Sequence, residues 1–114
     1  MTEIELDELA RRLGEVRVVD VRSLAEYEGS GGYPDDPRQG HIRGALHLDV
    51  QELQSLSRDD VRGRIGEPGE VVVYCHSGQR SAFAAMLLRE LGYDARNYVG
   101  SWREWSRTEL PGET

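Results

Sequence analysis

The run Val71-Val72-Val73-Tyr74 constrains the fold more than any other stretch of the chain. Consecutive apolar, mostly β-branched residues suit a strand covered on both faces, as in a parallel sheet flanked by helices. The heptad Cys75-His76-Ser77-Gly78-Gln79-Arg80-Ser81 follows. After it Phe83, Ala84, Leu87, Leu88 and Leu91 recur at the spacing of one helix face. A buried strand that turns into a helix through a short polar loop predicts an α/β fold, and it sets the only cysteine at the turn. Such a loop aims backbone N–H groups and the positive end of the helix dipole into its hollow, which suits an anion.

The rest of the chain repeats the alternation. Apolar positions at Ile4, Leu6, Leu9, Ala10 and Leu13 predict a helix over 4–13, stopped by Gly14. Residues 16–21 read as a central valine strand interrupted by Asp20. A carboxylate there is costly unless hydrogen-bonded, so Asp20 is expected at the strand's carboxyl end as a brace, accepting from backbone or from Arg22. Ser23 can cap a short helix ending at Glu28. Residues 29–40, rich in glycine and proline, have no period; that length suits a functional rim, and a plain solvated excursion fits it equally well.

The second half of 41–48 reads as a strand, 51–65 as one or two short helices, and 95–99 as a last strand. A terminal helix from Gly100-Ser101 is expected to bury Trp102 or Trp105, with order ending at Leu110-Pro111-Gly112. The expected organisation is one domain over 1–114, with a mainly parallel sheet whose ligands bind beyond the carboxyl ends of the strands. Cys75 lies at such an end.

Composition narrows the function classes. One cysteine among 114 residues excludes an internal disulfide. No signal pattern follows Met1 and no apolar run is long enough to span a bilayer, so a cytoplasmic, reducing location is expected. A net charge of −7 argues against nucleic acid and anionic membranes as partners. The charge is uneven: residues 1–36 hold ten acidic and four basic side chains, while residues 75–107 hold three acidic and five basic. The part bearing Cys75 is the cationic part.

Thiolate is the reactive form of cysteine, and a helix N-terminus beside an arginine lowers a thiol from its usual pKa of ~8.5. Gly78 allows the backbone to fold its N–H groups toward one point. Cys75, His41, His47 and His76 lack the paired spacings of metal ligands, so no metal is expected. Nothing marks His41 or His47 as a base oriented toward a nucleophile, and His41 is read as fixing its own loop. The loop also resembles the phosphate cradle of cysteine-dependent phosphatases. Those enzymes, however, have one residue more between cysteine and arginine than the four found here, His76, Ser77, Gly78 and Gln79. The smaller hollow suits one extra sulfur on Cys75 better than a phosphoryl group.

Four segments in order, Val18-Val19-Asp20-Val21-Arg22, Gly40-His41-Ile42-Arg43-Gly44-Ala45, the Cys75–Ser81 loop and Gly100-Ser101-Trp102-Arg103-Glu104-Trp105, resemble the rhodanese family of sulfurtransferases. The resemblance covers nearly the whole chain. It implies a three-layer α/β/α fold and a ping-pong reaction without a cofactor. Cys75 would take the outer sulfur of a small anionic donor such as thiosulfate, then pass it from a persulfide to a thiol, cyanide or a protein acceptor. His76, Ser77, Gly78, Gln79, Arg80 and Ser81 would form the binding loop, with Asp20, Arg22, Glu26 and His41 in support. Arg80 would either bind the donor's charge or brace the loop through a carboxylate.

The chain departs from the two-domain thiosulfate enzymes at Glu26, where they carry a basic residue, and at His76 and Ser77. Fewer cations at the mouth disfavour a small dianion and favour a persulfide or protein donor. A rhodanese-like binding or regulatory module without turnover is the alternative from another class. A cysteine-dependent phosphatase or arsenate reductase is the third reading.

Overall fold

The computed structural model describes residues 2–114. In chain order its elements are β1 (Glu3–Ile4), α1 (Leu6–Arg11), β2 (Arg17–Asp20), α2 (Leu24–Glu28), β3 (His41–Ile42), β4 (Leu46–His47) and α3 (Val50–Leu53). There follow α4 (Arg58–Ile65), β5 (Glu70–Tyr74), α5 (Gln79–Glu90), β6 (Asp94–Tyr98), α6 (Ser101–Trp105) and β7 (Gly112–Glu113). Five strands form one parallel sheet in the order β1-β6-β5-β2-β4. The valine strand β5 is central, with Val19 and Asn97 flanking Val73 and with Asp20 beside Tyr74.

Alternation along the two central strands divides the core. Val19, Val71 and Val73 point to one face and pack with Leu53, Val61, Ile65, Ala84, Ala85 and Leu88 from α3, α4 and α5. Val18, Val72 and Tyr74 point to the other, against Leu9, Ile42, Tyr98, Trp102 and Trp105. Helices on both faces make this the expected α/β architecture with a mainly parallel sheet. Each large side chain so enclosed contributes about 1.5–3 kcal/mol relative to exposure.

Several boundaries differ from the sequence reading for identifiable reasons. Ile4 is not helical: it pairs with Tyr98 in β1, Glu5 is extended, and the helix begins only at Leu6. The order does not end at Gly112, because Gly112–Glu113 pairs antiparallel with His41–Ile42 in a small separate sheet. Phe83 lies outside the buried face, 39% exposed, while Ala85 takes the inner position. Both tryptophans are buried, where one was required. At Ser23 the capping expectation holds in full: its hydroxyl accepts the Glu26 N–H at 3.2 Å, and the Glu26 carboxylate accepts the Ser23 N–H.

Candidate active site

Cys75 leaves the carboxyl end of β5, and α5 begins at Gln79, so Gln79, Arg80 and Ser81 already form a first helical turn. Gly78 makes the corner with φ +97°, and a Cβ there would stand 2.8 Å from the Val99 carbonyl oxygen. Only glycine meets both demands. Three carbonyls of the turn are engaged by neighbouring segments: Trp102 N–H donates to Cys75, Arg103 N–H to His76, and Asn97 Nδ2 to Gly78. Held from outside, the loop turns its donors inward.

Those donors meet at the buried Cys75 Sγ. The Gly78 N–H donates to it at 3.0 Å and the Ser81 hydroxyl at 3.3 Å. Burial pushes the thiol up. Hydrogen bonds from the Ser81 hydroxyl and from the backbone of Ser81, Gly78 and Ser77 together outweigh it and hold the pKa below the ordinary thiol value. This is a pocket that favours negative charge on sulfur. Beneath it, Ser101 accepts the Cys75 N–H at 3.1 Å and donates to Tyr98 O at 2.8 Å.

Arg80 is turned to one side. Its two terminal nitrogens donate to the two oxygens of Glu26 at 2.8 and 3.0 Å. Burial raises the Glu26 carboxyl, but the hydrogen bonds and charge of Arg80, with the Ser23 bonds, lower it to about 2. Arg80 therefore has the partner that a brace requires, and Glu26, an acidic departure in the sequence, is that partner.

Asp20, Arg22 and His41 do not contact the sulfur. Arg22 is completely enclosed and grips both oxygens of Asp20, with bonds of 2.7 to 3.1 Å, while also donating to Gly40 O. Its guanidinium lies 5.4 Å from the Trp102 ring centre. His41 donates from Nδ1 to Tyr27 O at 2.7 Å and stacks on the Tyr27 ring at 3.7 Å. These groups tie the base of the 29–40 loop to the sheet.

That loop forms one wall of the mouth. Tyr33 stacks on the His76 ring at 3.7 Å, and His76 Nε2 donates to Asp36 at 2.9 Å. The other Asp36 oxygen receives Arg107 at 2.8 Å. Tyr33, Asp36, Asn97, Ser101 and Arg107 thus join the site although sequence reasoning did not single them out as site residues. The motif around Ser101 was visible, but its contact with Cys75 was not. Among the described residues no group of three or more His, Cys, Asp or Glu side chains could hold a metal ion, and no helix is long and apolar enough to cross a membrane.

The chain matches the rhodanese-like domain family over residues 5–108. It is 34% identical over 118 residues to a human protein named thiosulfate:glutathione sulfurtransferase, covering 93% of this chain and 94% of that one. It is 33% identical over 118 residues to a Corynebacterium glutamicum thiosulfate sulfurtransferase, covering 89% of this chain and 39% of the relative. The structure of a human single-domain sulfurtransferase, TSTD1, superposes with a TM-score of 0.71 at 32% identity, covering 96% and 98% of the two chains. Against several curated relatives the chain spans about two fifths to three fifths of their length. The chain therefore belongs to the rhodanese-like family, and several relatives similar to it are named as thiosulfate sulfurtransferases.

Proposed function

We propose that residues 1–114 act as a single-domain sulfurtransferase in a reducing, cytoplasmic setting, carrying sulfane sulfur on Cys75. The observation that carries this reading is the convergence of the Gly78 N–H and the Ser81 hydroxyl on Cys75 Sγ. In the first half-reaction the Cys75 thiolate bonds to the outer sulfur of thiosulfate. The sulfur–sulfur bond of the donor breaks and its electron pair leaves with sulfite. The terminal sulfur of the resulting persulfide carries the negative charge, and the inward N–H groups of the loop stabilise it. In the second half-reaction an acceptor thiolate, or cyanide, bonds to that terminal sulfur, and the electron pair of the bond to Cys75 returns to Sγ.

The relative named for thiosulfate and glutathione supports a small anionic donor and a thiol acceptor. The pairing of Arg80 with Glu26 supports a bracing role for Arg80 in the loop. It also offsets the charge of Arg80 at the mouth, so thiosulfate, a dianion, should load the protein more slowly than a persulfide donor of lower charge. The net charge of −7 argues against nucleic acid as a partner. Intact-mass measurement tests the reading: donor-treated protein should gain one sulfur and lose it to a thiol, and Cys75→Ser should do neither. Transfer that survives Cys75→Ser sinks it.

A further inference from the structure

Beside the catalytic loop lies an open hollow of about 350 Å³ lined by Glu26, Gly31, Gly32, Tyr33, Pro34 and Arg80. It belongs neither to the sulfur pocket nor to the hydrophobic core. Its walls are fixed. The N–H groups of Ser30 and Gly31 donate to Ala25 O at 2.9 and 3.1 Å, and a Cβ on Gly31 would stand 2.8 Å from the Ala25 side chain. Gln39 Nε2 donates to Tyr33 O at 2.8 Å, and Tyr33 is held on His76. The wall is thus set before any ligand arrives.

The charged floor has unused valence of both signs. A guanidinium carries five N–H donors, and Arg80 commits two of them to Glu26. Its side chain remains 37% exposed, against 9% for Glu26. On Glu26, Oε1 already accepts from the Ser23 N–H, the Ser23 hydroxyl and Arg80, whereas Oε2 accepts only from Arg80. One open acceptor position therefore sits beside open guanidinium donors. A dianion entering here meets the Glu26 carboxylate, and a simple cation meets Arg80. A group carrying an ammonium and a carboxylate together satisfies both.

From this juxtaposition we infer that the hollow is the acceptor subsite, and that it recognises a thiol bearing a zwitterionic α-amino-acid head. The ammonium would go to Glu26 Oε2, the carboxylate to the free edge of Arg80, and the aliphatic part against Tyr33 and Pro34. Arg80 lines the hollow and lies between Gly78 and Ser81, both of which donate to Cys75 Sγ, so the thiol end of such a molecule is directed toward the persulfide. The inference rests on the sulfur-carrier reading above. The acceptor's thiolate bonds to the terminal sulfur and leaves as a persulfide while Cys75 regains its electron pair, so no oxidant is needed. Free cysteine and the γ-glutamyl end of glutathione both carry this head, close to the thiol in one and distant in the other.

The test uses the whole wild-type chain. Protein loaded with sulfur by inorganic polysulfide and freed of excess donor is chased with L-cysteine, glutathione, N-acetylcysteine, which lacks the ammonium, or cysteamine, which lacks the carboxylate. All are used at matched thiolate concentration, and the loss of one sulfur is timed by mass. Cysteine or glutathione should unload the protein about tenfold or more faster than the two single-charge thiols, since each lost charged contact matters on that scale. The faster of the two identifies the source. Equal rates across the panel overturn the inference.

A second arm needs no sulfur chemistry. S-methylcysteine and S-methylglutathione, added to unloaded protein, should shift the amide resonances of Gly31, Gly32 and Tyr33. Absence of such shifts with both ligands also overturns it. Protein that binds them yet never loads sulfur would retain the subsite and refute the sulfur-carrier reading. Glu26→Gln should abolish the advantage of cysteine over N-acetylcysteine, an effect that a purely structural Glu26 would not produce.

Discussion

The hydroxyl of Ser101 accepts the backbone N–H of Cys75 at 3.1 Å across 26 residues of sequence, and Ser101 holds φ at +57° to do so. A non-glycine residue in this region is strained, and the strain is sustained by two buried hydrogen bonds, to Cys75 and to Tyr98. The start of α6 is thereby locked under the nucleophile.

Ser101→Ala leaves the Cys75 N–H buried without an acceptor, a loss of about 1–3 kcal/mol. Ser101→Gly loses the same hydroxyl but accepts the positive φ, so it should be less destabilised than the alanine variant. Urea unfolding of the three proteins measures both differences.

The hydrogen bonds to Cys75 Sγ predict its titration. The thiol sits below the ordinary value, so its rate of alkylation by iodoacetamide should rise with pH at a midpoint below that of a free cysteine. Ser81→Ala removes the hydroxyl donor and should move that midpoint upward. A midpoint that stays in place would show that the backbone N–H groups act alone.

Asp20 and Arg22 are a buried pair, their side chains 0% and 1% exposed, so Arg22 depends on Asp20 for its compensating charge. Asp20→Ala should lower stability by about 3–5 kcal/mol, the range for stranding one member of such a pair. Because Arg22 also donates to Gly40 O, the base of the 29–40 loop should loosen, seen as faster amide exchange there.

The Glu26 carboxyl has a folded pKa of about 2 against an ordinary 4.5. Folded below unfolded means that its stabilisation is complete above about 4.5 and is lost as pH falls toward about 2. With Arg80 partly open to solvent, the contribution should be about 1–2 kcal/mol. Glu26→Gln should flatten that part of the acid limb in pH-dependent urea unfolding.

The features legible in the sequence were those that a short stretch encodes by itself. The valine run specified a two-sided buried strand, Ser23 specified the cap of a short helix, and Gly78 in the polar loop after Cys75 specified a turn into a helix. Each depends on residues a few positions apart, so period and turn chemistry reveal it. The misplaced boundaries had other causes: Ile4 followed an apolar helical pattern but gained a ladder partner in β6, and Gly112–Glu113 became a strand only because His41–Ile42 lay beside it.

By itself, then, the sequence determined the α/β alternation, the position of Cys75 at the end of a central strand, and the size of the loop after it. The tertiary structure alone decided who holds that loop and what lines its mouth. Arg80 finds Glu26 across 54 residues, His76 finds Asp36 across 40, and Asn97 reaches Gly78 from the neighbouring strand. A polar side chain carries no period that announces its partner, and its role is fixed only when packing of the apolar faces brings distant segments within hydrogen-bonding distance.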